Sequence, residues 1–301
     1  MHRTVIVGLD GSPESRAAAE WAAREAELRG LPLKLVHVWE PVPEPLAQAP
    51  LLGAETQQHW SERIPREAAE GIRLRHPGIE VTVEQFSGRP SEVLSGLAKD
   101  AELSVLGSRG LGRMSGFVVG SVGLAVVAHA EQPVVLVRAK GQAADEHTTD
   151  PAGIPSAAAP YRPVVLGLDI DSPDASVIEF AFDAAVHRST SLRVVHGWNL
   201  PPYYAYGVAV DFELHTDLDR QQATALTEVL RPWRKKFPDV EVMAESGSGR
   251  AADYLVDASH EASLVVVGRR IRRSPIGARI GPVTHSLLHH AAAPVAVVPH
   301  N

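Results

Sequence analysis

The sequence holds no cysteine. Disulfides, zinc–thiolate sites, iron–sulfur clusters and a cysteine nucleophile are therefore excluded. A basic surplus is also missing. With 29 Lys and Arg against 36 Asp and Glu, the formal charge is −7, which speaks against a broad nucleic-acid-binding face. No apolar run approaches the roughly 20 residues needed to span a bilayer. Met1-His2-Arg3 passes straight into strand-like residues without a leader pattern. A cytoplasmic protein without a membrane or nucleic-acid partner is expected. Three well-known signatures are lacking too. There is no G-x4-G-K-[ST] phosphate loop and no G-x-S-x-G elbow. Gly110-x-Gly112 does not extend to a dinucleotide fingerprint, because Ser115 stands where the third glycine belongs.

What is present is a globular composition, 45% hydrophobic and 22% charged over 301 residues, enough for about two domains. The chain is one module written twice. Thr4-Val5-Ile6-Val7-Gly8-Leu9-Asp10 returns as Pro163-Val164-Val165-Leu166-Gly167-Leu168-Asp169. Leu35-Val36-His37-Val38-Trp39 returns as Val194-Val195-His196-Gly197-Trp198. Ser104-Val105-Leu106-Gly107 returns as Val265-Val266-Val267-Gly268, and Pro133-Val134-Val135-Leu136-Val137 as Pro294-Val295-Ala296-Val297-Val298. The copies stay 159 to 161 residues apart, so the halves are tandem domains. Domain one is set at residues 1–140 and domain two at 161–301. Residues 141–160, rich in Ala, Pro, Gly, Thr and Asp and without apolar periodicity, read as a solvated linker.

Within each half, strand-like and helix-like segments alternate. The first half gives strands at Thr4–Leu9, Leu33–Trp39, Glu80–Phe86, Leu103–Leu106 and Val134–Val137. Its helices start after Ser12-Pro13, a cap and first-turn pair, then cover Glu55–Arg75, start again near Pro90-Ser91, and start last at Gly120-Ser121. The first, fourth and fifth strands are almost continuously apolar, as strands covered on both faces are. The fold class is therefore α/β, with a parallel sheet and right-handed crossovers. A ligand would bind beyond the carboxyl ends of the strands, where strand order reverses. Pro41–Gly53 and Asn199–Val210 break this rhythm. Each reads as a surface loop, or as a lid or contact strip.

The strongest chemical signal is Gly107-Ser108-Arg109-Gly110, then nine residues, then Gly120-Ser121. A strand that ends in glycines and restarts as a helix presents bare N–H groups and a helix N-terminus to an anion. Arg109 and Arg113 could hold phosphate oxygens or be solvated. Asp10, at the end of the first strand, could meet a ribose or a metal beside phosphates, or close an Asx-turn. His285, His289 and His290 share one predicted helix. No carboxylate joins them at ligand spacing, so solvated or capping roles are expected there rather than a metal site.

Together, the strand ending in Asp10, the His37-Val38 pair, the G-x2-G-x9-G-S loop and Pro133-Val134-Val135-Leu136-Val137 resemble the universal stress protein family. The likeness is to its tandem-domain type from actinobacteria, and it spans both halves. It implies two Rossmann-like α/β/α domains, each a five-stranded parallel sheet with helices on both faces. It also implies ATP as ligand, with magnesium only as the nucleotide's own counter-ion. The roles carried over are phosphate and ribose contacts along Gly107, Ser108, Arg109, Gly110, Leu111, Gly112, Arg113, Gly120, Ser121 and Val122. Gly8 and Asp10 would face the nucleotide, and the backbone of Val38 would meet adenine. Val134–Val137 and Val295–Val298 match strands that commonly form the family's dimer contact, so a homodimer is implied.

The second half departs from the pattern. Gly167, Asp169, Gly268 and Gly281 keep the skeleton of a possible weak second site. Ile271 replaces the middle glycine, Pro282 the serine and Gly197 the Val38 position, and one residue is inserted between Asp169 and Ser172. A β-branched residue disfavours positive φ, and Pro282 removes an N–H. Arg269, Arg270, Arg272, Arg273 and Arg279 could hold an anion by charge, form a solvated face or meet an acidic partner. One nucleotide per chain, in the first half, is expected. The leading function is a nucleotide-dependent stress or signalling regulator. A slow ATPase or adenylyl-transfer enzyme and a nucleotide-independent scaffold are the alternatives. No catalytic residue is assigned, because no general base or arginine finger is evident.

Overall fold

The computed structural model describes residues 3–40, 54–108, 120–139, 143–149, 153–154, 156–199, 212–272 and 279–301, with backbone alone over 54–61 and 212–214. It divides into two compact units, Met1–Gln142 and Ala143–Asn301. The two segments that break the strand–helix rhythm lie outside the described residues, apart from Asn199.

In the first unit, β1 (Val5–Leu9), β2 (Leu33–Trp39), β3 (Val81–Ser87), β4 (Leu103–Ser108) and β5 (Val134–Arg138) alternate with helices. These are α1 (Pro13–Arg29), α2 (Ala54–Arg75), α3 (Pro90–Leu97) and α4 (Ser121–His129). The strands lie in the order β3-β2-β1-β4-β5, and every neighbouring pair is parallel. Chain order reverses between β1 and β4, which leaves a crevice at their carboxyl ends.

The core explains the register. Val5 and Val7 of β1, Leu33 and Leu35 of β2, and Leu103 and Val105 of β4 are wholly buried, as alternation on a covered strand requires. Helix α1 lies on the sheet through Ala18, Ala22 and Ala26, also wholly buried. These follow one another at one-turn spacing, and their small side chains let the helix backbone come close. Local chemistry fixes its ends. The Ser12 hydroxyl accepts the Ser15 N–H at 3.1 Å, Pro13 fills the first turn, and Gly30 closes the helix at φ 63°. Near its C-terminus, Glu25 and Arg29 form an ion pair at 2.6 Å with only 1% and 7% of their side chains exposed.

The second unit repeats the plan. Its strands are β6 (Val164–Gly167), β7 (Leu192–Trp198), β8 (Val242–Ser248), β9 (Leu264–Arg270) and β10 (Val295–His300). Its helices are α5 (Ala175–Arg188), α6 (Phe212–Lys236), α7 (Ala251–Ala258) and α8 (Pro282–His290). The strand order is β8-β7-β6-β9-β10, again all parallel.

The stretch expected to be a solvated linker is only partly that. Residues Ala143–Glu146 form a 3-10 turn, and Glu146 and His147 are buried. His147 bridges to Tyr161, and their rings stand 4.0 Å apart. The Arg162 N–H donates to the Glu146 carbonyl at 2.9 Å, and the Thr148 N–H to the Pro160 carbonyl at 2.9 Å. These backbone bonds tie the segment to the entry of β6, so composition alone misjudged it.

Candidate functional site

The carboxyl ends of β1 and β4 open onto a cavity of about 200 Å³. Gly8 and Leu9 of β1 and Gly107 of β4 contribute to it. Apolar lining comes from Val36 and Val38 of β2 and from Pro90 and Leu94 of α3. The N-terminus of α4, Gly120 to Gly123, completes the described lining together with Asp10 and the first turn of α1. Gly120 caps α4 without any side-chain cap bond. The first helical N–H to find a partner is that of Leu124, which donates to the Gly120 carbonyl at 3.1 Å. The amides of Ser121, Val122 and Gly123 have no intrahelical acceptor. They sit at the positive end of the helix dipole, beside the cavity.

Asp10 both closes a turn and faces the cavity. Its Oδ1 accepts the Ser12 N–H at 2.9 Å and the Ser12 hydroxyl at 2.5 Å, which closes an Asx-turn. The same residue lines the cavity. Because the Ser12 hydroxyl also caps α1, Asp10 holds the strand end and the helix start in one arrangement. Of the remaining sequence candidates, Gly8, Val38, Gly107, Gly120, Ser121 and Val122 all reach this one cavity. Ser108 does not: its hydroxyl is buried and donates to the Val137 carbonyl at 3.1 Å. Arg109, Gly110, Leu111, Gly112 and Arg113 lie outside the described residues.

The cavity also takes in Ser12, Glu14, Ser15, Val36 and Leu94, which sequence reasoning did not single out as contacts. Ser12-Pro13 was the available signal, since it starts α1 two residues after Asp10. His37 is a further positioning residue. It is buried, and its Nδ1 lies 2.8 Å from the Leu9 carbonyl. A carbonyl only accepts, so Nδ1 carries the proton, and the imidazole clamps the last residue of β1 to β2. His196 repeats this on Leu168 at 3.0 Å. Among the described residues, no group of three or more His, Asp or Glu side chains is placed to hold a metal ion. No helix among them is long and apolar enough to cross a membrane.

The model of the universal stress protein family matches this chain twice, over residues 1–138 and 160–299. The chain belongs to that family. A universal stress protein of Mycolicibacterium smegmatis is 30% identical over 304 residues, covering 98% of this chain and 96% of its own. A universal stress protein of Mycobacterium tuberculosis is 32% identical over 313 residues, covering 97% and 96%. Among solved structures, a universal stress protein from Archaeoglobus fulgidus superposes with a TM-score of 0.70 at 17% identity, covering 99% of this chain and 98% of that one. The last likeness concerns the fold alone.

The second universal stress protein domain arranges the same positions differently. Strand β9 runs on through Arg269 and Arg270, which pair with Pro299 and His300. The Ile271 N–H, at the middle glycine position, donates to the His300 carbonyl at 2.6 Å. Thr284 stands where the first domain has Gly123. It is buried, and its hydroxyl donates to the Gly268 carbonyl at 3.1 Å. Gly197 replaces Val38 for a packing reason, since a methyl there would lie 2.5 Å from the Ala251 Cα. The start of α7 has thus moved onto the end of β7. Asp169 closes a turn through the Asp171 N–H at 3.1 Å. Ser172, aligned with Ser12, does not cap a helix. Helix α5 begins later, with Asp174 as its cap. Gly281 caps α8, and Gly268 packs under the His300 ring.

Of the five arginines, Arg269 and Arg270 have defined places, and Arg273 lies outside the described residues. Arg270 donates to the Ser172 hydroxyl at 2.7 Å. Arg269 is buried; burial, with the nearby charge of Arg279, lowers its pKa.

Proposed function

We propose that the first domain binds one ATP with its Mg2+, that the second binds none, and that nucleotide occupancy regulates what this universal stress protein does in a stress or signalling response. The observation that carries the reading is the uncapped start of α4 at the cavity. Three unpartnered helical amides suit a phosphate group, and the apolar residues of β2 and α3 suit a base. Asp10 and Glu14 line the same cavity. The Asp10 carboxylate beside a polyphosphate calls for a divalent counter-ion.

In the second domain, the Ile271 amide is engaged by His300 and a threonine hydroxyl occupies the Gly123 position. Pro282 also lacks an N–H, so among the described residues this helix start offers an anion fewer backbone donors than that of the first domain. Regulation then means that ATP prefers one of two conformations of the domain, since a ligand shifts an equilibrium only through differential affinity. Turnover is not part of the reading, and hydrolysis at the rate of free MgATP in buffer is expected. The test is calorimetric titration of the nucleotide-free chain with MgATP, combined with mass spectrometry of whatever heat releases from the purified protein. One ATP per chain supports the proposal; none, or two tightly bound, overturns it.

A further inference from the structure

Helix α8 carries a feature that its counterpart α4 lacks. His285 and His289 are four residues apart, the only histidine pair at that spacing in the sequence. Their rings stand 4.5 Å apart at 44°. Aligning Gly281 with Gly120 places Leu124 and Ala128 of α4 at the same two positions. The fold therefore builds this helix without any imidazole there. His290 is different, because α4 keeps a histidine at that place, His129, whose Nδ1 lies 2.7 Å from the Ala125 carbonyl. That residue belongs to the helix end in both domains.

We propose that His285 and His289 form a bidentate site for a divalent transition-metal ion that favours imidazole, namely Zn2+, Ni2+ or Cu2+. Histidines at i and i+4 lie on one helix face and can converge on one ion. Imidazole nitrogen is a preferred donor for these metals. His285 is exposed, so an ion reaches it from solvent. His289 lies in the last turn, where the helix dipole favours a cation. On sequence alone, the lack of a carboxylate at ligand spacing favours solvated or capping roles for these histidines. The ring contact brings two imidazoles together on one helix without a carboxylate, and water or an incoming donor would complete the coordination.

The test is a Zn2+ titration of the full chain followed by calorimetry at neutral pH, repeated with His285→Leu, His289→Ala, the double variant and His290→Ala. The first two substitutions install the residues of α4, so the metal-free variants should melt with the wild type. The expected result is one Zn2+ site, weakened by about tenfold or more in each single variant, lost in the double variant and unchanged in His290→Ala. In the wild type, substoichiometric Ni2+ should broaden the ring resonances of His285 and His289 before those of other histidines. A chain with no Zn2+ site, or a site that survives the double substitution, overturns the proposal.

Discussion

Gly107 lies against Glu14 so closely that a methyl group on it would sit 2.6 Å from the Glu14 carbonyl carbon. The end of β4 and the first turn of α1 therefore meet backbone to backbone. Gly8, also in the cavity wall, differs in kind. A methyl there would meet the Leu106 Cδ2 at 2.7 Å, the far end of a side chain that can turn. Gly107→Ala is expected to lower stability by about 1–3 kcal/mol, the range for overpacking a rigid contact. Gly8→Ala should cost less. Urea unfolding midpoints of the two variants decide the matter, and a Gly107→Ala midpoint equal to the wild type would remove this packing argument.

A cleaner probe of the site is Gly123→Thr, which copies Thr284 of the second domain. Thr284 is accommodated there, with its hydroxyl on the Gly268 carbonyl, and threonine has a higher helix propensity than glycine. The variant should melt no lower than the wild type while MgATP affinity falls by about a hundredfold, as expected when a cavity wall is filled and an amide is shielded. Calorimetry with MgATP reads the affinity. Unchanged binding would place the phosphates elsewhere than at α4.

Much of this was legible because the governing interactions are local. Apolar runs announce β1, β4 and β5, and Ser12-Pro13 announces the start of α1. The glycine spacing marked the cavity because glycines there abut a helix start. The unread parts depend on contacts remote in sequence. The Ser108 hydroxyl faces β5 because β4 extends to that residue, beyond Leu106, and it meets Val137 across the strand pair. Glu14 and Leu94 join the cavity only once α1 and α3 have docked. Ser172-Pro173 mimics Ser12-Pro13, yet the helix waits for Asp174, which accepts both the N–H and the hydroxyl of Ser176 and pairs with His300 at 3.6 Å. Ser172 and Asp174 are both good caps by local rule, and the contact with His300, remote in sequence, belongs to Asp174 alone.

That cap has a pH signature. Burial alone would raise the Asp174 pKa. Hydrogen bonds from the Ser176 hydroxyl and amide, with the charge of His300, outweigh it and hold the group below its ordinary 3.8. A carboxylate with a depressed folded pKa stabilises the native state above its unfolded pKa, and that contribution is lost as pH falls through the folded value. Asp174→Ala should cost about 1 kcal/mol at neutral pH, the usual value of a helix cap. The gap to wild type should close in acid below pH 3.8. Thermal midpoints measured from pH 7 downward test this, and a gap that is constant with pH would show that the carboxylate charge contributes nothing.

The buried pair on α1 makes the last prediction. Glu25 and Arg29 meet at 2.6 Å with almost no exposed side-chain surface. In the second domain, Ala184 takes the place of Glu25, and Arg188 keeps the place of Arg29. There the arginine donates to the Ala184 carbonyl at 3.3 Å and stands 5.7 Å from the centre of the Tyr161 ring. The fold thus tolerates a buried arginine without the glutamate, provided another surface receives it. The first domain has been built around the pair, and removing one member of such a pair typically costs about 3–5 kcal/mol through the charge left behind. Glu25→Ala should therefore destabilise strongly. The double variant Glu25→Ala with Arg29→Leu should recover much of the loss, because no guanidinium then remains to be solvated. A double-mutant cycle by urea denaturation measures the coupling. If the two single losses simply add, the pair is two independent side chains and the cost of Glu25→Ala must come from packing.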